Sequence, residues 1–114
     1  MKGIPIRELA TVIRSKNSGP FELTFDLIFR DRDTYRQIKE SGFFTPELFA
    51  RLYGIPVQDV VSLVEFDPAN AIKCTIKRPR GAGDIGETDV YGAQQHAPLL
   101  TLKIPTTIMG RYDK

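Results

Sequence analysis

Residues 21–29 read FELTFDLIF. Phe21, Leu23, Phe25, Leu27 and Phe29 fall on one side of an extended chain, and Glu22, Thr24 and Asp26 on the other. Alternation with a period of two marks a strand with one face turned to a core. That odd face must find apolar partners, and the chain supplies them further on. Val60–Phe66 is apolar and rich in β-branched residues, as an inner strand would be. Ala71–Lys77 alternates again, with Ile72, Cys74 and Ile76 against Lys73, Thr75 and Lys77. The turn residues Asp67-Pro68-Ala69-Asn70 between them complete a predicted hairpin. Leu99–Ile104 reads as a last short strand, ended by Pro105.

Helical spacing appears in three other places. Leu9, Val12 and Ile13 after Pro5 predict a short helix over Ile6–Arg14, although the β-branched pair leaves a strand ending open. Asp31–Ser41 predicts a surface helix stopped by Gly42. Thr45-Pro46-Glu47 forms an N-terminal signature, followed by Leu48, Phe49, Leu52 and Tyr53, with Gly54 as the stop. Helix, strand, two helices, two strands, long loop and strand imply one α+β domain over residues 1–114. The expected architecture is ferredoxin-like, an antiparallel sheet of about four strands with helices on one face. Residues 106–114 are expected to form a loose tail.

Composition narrows the function classes. The chain has 114 residues, 41% hydrophobic and 26% charged, enough for one core without crosslinks. Its net charge of +2 is small for a nucleic-acid binder. A single cysteine excludes an internal disulfide and suits a reducing cytoplasm. No signal-peptide core or membrane-length apolar run is present, so a soluble protein is expected. Cys74 lies on the apolar phase of its strand and reads as an inert core thiol.

Two polar stretches carry more chemistry than connection requires. Arg14-Ser15-Lys16-Asn17-Ser18-Gly19-Pro20 reads as a turn holding two cations, two hydroxyls and an amide. Arg14 can grip a carboxylate or phosphate through parallel hydrogen bonds, and Lys16 adds a point charge. The plain alternative is a solvated turn. Gly81–Pro98 reads GAGDIGETDVYGAQQHAP, a long loop without apolar periodicity. Its glycines lack the strand, helix and GK[ST] ending of a nucleotide loop. Its second half gathers Asp89, Tyr91, Gln94, Gln95 and His96. His96 is the sole histidine, and with no cysteine cluster a self-contained metal site is not expected. A hydrogen bond to loop backbone is the ordinary role for it.

The segments IRELATVIRSKNSGPFELTFDLIF (6–29), FDPANAIKCTIKRP (66–79) and GETDVYGAQQHAPLL (86–100) resemble a family of small, uncharacterised bacterial and archaeal proteins encoded beside AtuA-like proteins, named for acyclic terpene utilisation. The pattern is also similar to the small ferredoxin-like domain ending fused AtuA-like chains. The resemblance implies a free-standing small subunit that works on a large AtuA-like partner in a hetero-oligomer. Neighbouring genes in such families imply carboxylic-acid or acyl-CoA catabolism, with hydration of a mesaconate-type acid as one route. The resemblance leaves the cofactor unknown, and a metal site that His96 shares with a partner chain stays open. In such a two-component hydro-lyase, Arg14, Ser15, Lys16, Asn17, Gln94 and Gln95 would bind an anionic substrate. His96, Tyr91 or Asp89 would move protons. Those roles come from residue chemistry rather than from the family. A non-catalytic assembly module and an independent small-ligand or RNA-binding domain are the competing readings.

Overall fold

The structure is a computed structural model that describes residues 3–19, 21–77 and 97–109. Strand β1 (Gly3–Pro5) runs into a single helical turn, α1 (Ile6–Leu9), and then into β2 (Ala10–Gly19) and β3 (Glu22–Phe29). Helices α2 (Arg32–Ser41) and α3 (Pro46–Tyr53) follow. Strands β4 (Val60–Phe66) and β5 (Ala71–Lys77) form a hairpin, and β6 (Lys103–Pro105) is the last strand described.

Both helices start and stop where their side chains dictate. The Asp31 carboxylate accepts the Thr34 N–H at 2.7 Å, and the Thr45 hydroxyl accepts the Leu48 N–H at 3.1 Å. Each cap satisfies a backbone donor that the first turn leaves without a partner. Gly42 and Gly54 end the helices at φ 70° and 65°, a left-handed backbone that glycine adopts without a Cβ clash.

The main sheet has the order β2-β3-β5-β4, antiparallel throughout, and β1 pairs with β6 in a separate two-stranded ribbon. Strands β3, α2–α3, β4 and β5 thus form a split unit, with β5 inserted between β3 and β4. The outer strand on the β3 side is β2, which precedes the unit in the chain. The expected α+β class and four-stranded antiparallel sheet are present.

One sheet face is apolar. Leu23, Phe25 and Leu27 of β3 stand opposite Ile76, Cys74 and Ile72 of β5, all at most 1% exposed. The helices cover this face. Phe25 stacks on Tyr53 at 4.7 Å and lies 6.4 Å from Phe49, and Phe29 meets Tyr35 and Phe44. Ile4, Ile6, Leu9, Leu99, Leu102 and Ile104 extend the same core.

Besides Val60–Phe66, which is an edge strand rather than an inner one, and Phe21, which is exposed instead of facing the core, three sequence expectations need correction. The predicted helix Ile6–Arg14 ends at Leu9, and Ala10–Gly19 is strand β2. The predicted turn Arg14–Pro20 is therefore strand up to Gly19. Strand β3 needs a backbone partner on its free side, and that pairing overrides the turn composition of SKNSG. Third, Leu99 belongs to a 3-10 helix, Ala97–Thr101, and the strand starts only at Lys103. Leu99 and Leu102, three residues apart, share the buried side of that tight turn. Met109, placed in the expected tail, is only 3% exposed. The loop residues 81–96 and the last residues 110–114 lie outside the described residues.

Candidate functional site

The second face of the sheet points away from α2 and α3, and the register arranges it in rows. In one row Arg14 (β2), Asp26 (β3), Lys73 (β5) and Val64 (β4) stand side by side. In the next, Lys16, Thr24, Thr75 and Ser62 do the same. On the other side are Val12, Ile28, Ala71 and Phe66. Residues opposite one another in an antiparallel pair point to the same face, so each row is a line of neighbouring side chains.

Asp26 is the centre of this grid. It is a carboxylate on a middle strand, 2% exposed, with a cation directly opposite on each side. Arg14 Nε donates to Asp26 Oδ2 at 2.9 Å. Lys73 Nζ stands 3.6 Å from Oδ1, close enough for attraction and too far for a hydrogen bond. Oδ1 is buried and has no hydrogen-bond partner among the described residues. The cations themselves stay half in water, with side chains 57% and 43% exposed. Lys73 Nζ also lies 5.7 Å from the centre of the Phe66 ring. In the adjoining row, the Thr24 and Thr75 hydroxyls share a hydrogen bond at 2.9 Å.

The structure divides the first group of sequence-predicted residues. Arg14 and Lys16 lie on the grid face. Ser15 and Asn17 stand opposite Phe25 and Leu23, so they point to the core side, and Ser15 is 6% exposed. The four residues therefore cannot converge on one anion. The second group, Asp89, Tyr91, Gln94, Gln95 and His96, lies outside the described residues. Asp26 and Lys73 belong to the site but did not stand out in the sequence as functional residues. Their signal was present as polar phases of two alternating strands, and only the register brings them opposite each other.

The rest of the described surface offers less. An open depression of about 470 Å³ lies beside α2 and is lined by Arg32, Tyr35, Arg36, Lys39, Glu40 and Asp67. Its charges are largely paired with one another. The Tyr35 hydroxyl donates to Asp67 Oδ1 at 2.6 Å, Lys39 Nζ does so at 2.9 Å, and Arg36 lies 3.7 Å from Glu40. The Tyr35 hydrogen bond, reinforced by Lys39, holds the Asp67 carboxyl below its ordinary range. Cys74 sits on the core face, and burial pushes its thiol up to about 12, so it is no nucleophile at neutral pH. Among the described residues, no three His, Cys, Asp or Glu side chains gather as metal ligands. None of the described helices is long and apolar enough to cross a membrane.

A family model described as a domain of unknown function (DUF4387) matches residues 6–103. No curated protein and no solved structure matches the chain.

Proposed function

The chain belongs to the DUF4387 family of domains of unknown function, and for it we propose the role of a small partner subunit in a two-component hydro-lyase. The large subunit would be an AtuA-like chain, and the substrate a dicarboxylic acid or acyl-CoA of the mesaconate type. One observation carries this reading. A carboxylate buried between two cations lies on an open sheet face, with no wall facing it from α2 or α3. Half-built polar surfaces of this kind suit completion by another chain. Val61, Val64 and Phe66, each more than two-fifths exposed, supply apolar contact at the β4 edge beside it. The ferredoxin-like kinship and the cytoplasmic setting belong to the same proposal.

The assembly-module reading has its own support. Arg14 commits its Nε to Asp26, which reduces what remains for a substrate. Co-expression with an AtuA-like chain tests both. The expected result is a stable complex whose hydration of mesaconate-like acids needs both chains. Full activity of the large chain alone rejects the catalytic role. Loss of turnover in Arg14→Gln with the complex intact rejects the purely structural one. A Phe66→Asp variant is expected to weaken the complex.

A further inference from the structure

We infer that the Arg14–Asp26–Lys73 row is a binding site for a small 2-hydroxy acid, with the hydroxyl taken by Asp26 and the carboxylate by the two cations. The inference rests on the reading of this sheet face as the substrate side and names the ligand chemistry it would take.

Three features of the row select that ligand. First, Asp26 Oδ1 is a buried acceptor without a donor among the described residues. Such an oxygen gains from any ligand that brings an O–H or N–H. Second, the cations retain donors for a ligand. Arg14 engages Asp26 through Nε, so the outer Nη edge of its half-exposed guanidinium can take a carboxylate. Lys73 touches Oδ1 only loosely and has a flexible stem, so it can leave Oδ1 and turn to the ligand. In the same position Nζ lies 5.7 Å from the centre of the Phe66 ring, a contact that does not depend on Oδ1. Third, the row of Arg14, Asp26 and Lys73 carries one net positive charge, which a monoanionic carboxylate neutralises.

The geometry also selects the donor. A 2-amino acid is a zwitterion, so its ammonium would add a third cation around Asp26 and leave the row's one positive charge unbalanced. A neutral hydroxyl meets no such penalty. Lys16, one row on and two residues from Arg14 on the same strand, is placed to meet a second carboxylate. A hydroxy dicarboxylate therefore uses the grid most fully.

Isotope-edited NMR titration of the isolated chain tests this with L-malate, D-malate, succinate and methoxysuccinate. Succinate lacks the hydroxyl, and methoxysuccinate keeps the oxygen without its proton. At least one malate enantiomer is expected to bind about tenfold tighter than both, the value of one hydrogen bond to a charged group. The shifted amides should cluster on β2, β3 and β5. Asp26→Asn is expected to erase the malate preference, while Arg14→Gln weakens all four acids. Equal affinity for malate and succinate overturns the inference, as does the absence of saturable shifts with every probe. The acid series uses the unaltered chain, so it decides the matter even if Asp26→Asn folds poorly. Complex formation with a large chain is a separate measurement. Selective malate binding without a complex would sink the subunit reading alone, and a complex without malate selectivity would sink this one alone.

Discussion

Removing the two sides of the Asp26 cluster should have very unequal effects on stability. The Asp26 side chain is 3% exposed, whereas Arg14 and Lys73 are 57% and 43% exposed. Replacing both cations, in Arg14→Gln/Lys73→Gln, strands a carboxylate away from water with no opposite charge beside it. The expected cost is about 3–5 kcal/mol, the range for a buried ion that loses its partners. Replacing the carboxylate, in Asp26→Leu, leaves two cations that already reach solvent. They can hydrate fully, and a leucine branches at the same carbon as the carboxylate it replaces, so the expected cost is at most about 1 kcal/mol. Arg14→Gln alone should fall between, at about 1.5–3 kcal/mol, because Lys73 remains near. Urea unfolding at pH 7 reads these differences, provided the slopes agree among variants. If Asp26→Leu proves as damaging as the double cation variant, unequal exposure does not set the cost. The cluster would then be a cooperative network rather than a buried charge held by mobile partners.

Three further outcomes follow from the same geometry. Asp31→Ala and Thr45→Ala should each cost about 1 kcal/mol, as lost N-caps do. Only the first should depend on acid. The Thr34 backbone N–H lowers the folded Asp31 carboxyl below its ordinary value. Its contribution is therefore complete above the unfolded value and fades as pH falls through the folded one. Melting curves at pH 7 and in strong acid should show the Asp31→Ala gap closing while the Thr45→Ala gap stays open; a constant Asp31→Ala gap contradicts the cap assignment. Cys74 should resist a thiol reagent at pH 8 until urea is added, and rapid labelling of the native chain would contradict its burial. Gly42→Ala should cost about 1 kcal/mol by denaturant unfolding. The Cβ would meet nothing within 4 Å, so the backbone φ of 70° is the whole cause, and a neutral result would show that the turn relaxes.

Strands β3 and β5 were legible because each carries a full alternation, with Leu23, Phe25 and Leu27 on one and Ile72, Cys74 and Ile76 on the other. Helices α2 and α3 were legible because capping is local chemistry, written in Asp31, Thr45, Gly42 and Gly54. Strand β2 was not, because its inward residues beyond Ile13 are Ser15 and Asn17, polar side chains that break the apolar phase. Its extended form comes from its neighbour β3, a fact no local window contains. The site shows the same division. Arg14 and Lys16 stand out by type, but a turn over the same residues would aim Ser15 and Asn17 the same way. A strand sends alternate residues to opposite faces, and that parity separates them. Asp26 and Lys73 looked like ordinary surface charges until register set them opposite one another.

The small ribbon of β1 and β6 bears on the order of folding. Ile4 stands opposite Ile104, and the Ile6 N–H reaches the Leu102 carbonyl at 3.0 Å. These contacts join positions separated by nearly the whole chain, whereas both main-sheet hairpins join near neighbours. Closing so long a loop costs more entropy than closing a hairpin. The ribbon is therefore expected to form last, like a clasp on a finished strap. Until it does, Ile6 and Leu9 lack the cover of Leu99 and Leu102. During synthesis, the half-made domain would carry that open apolar patch until the codon for Pro105 has been passed and its residue has left the ribosome.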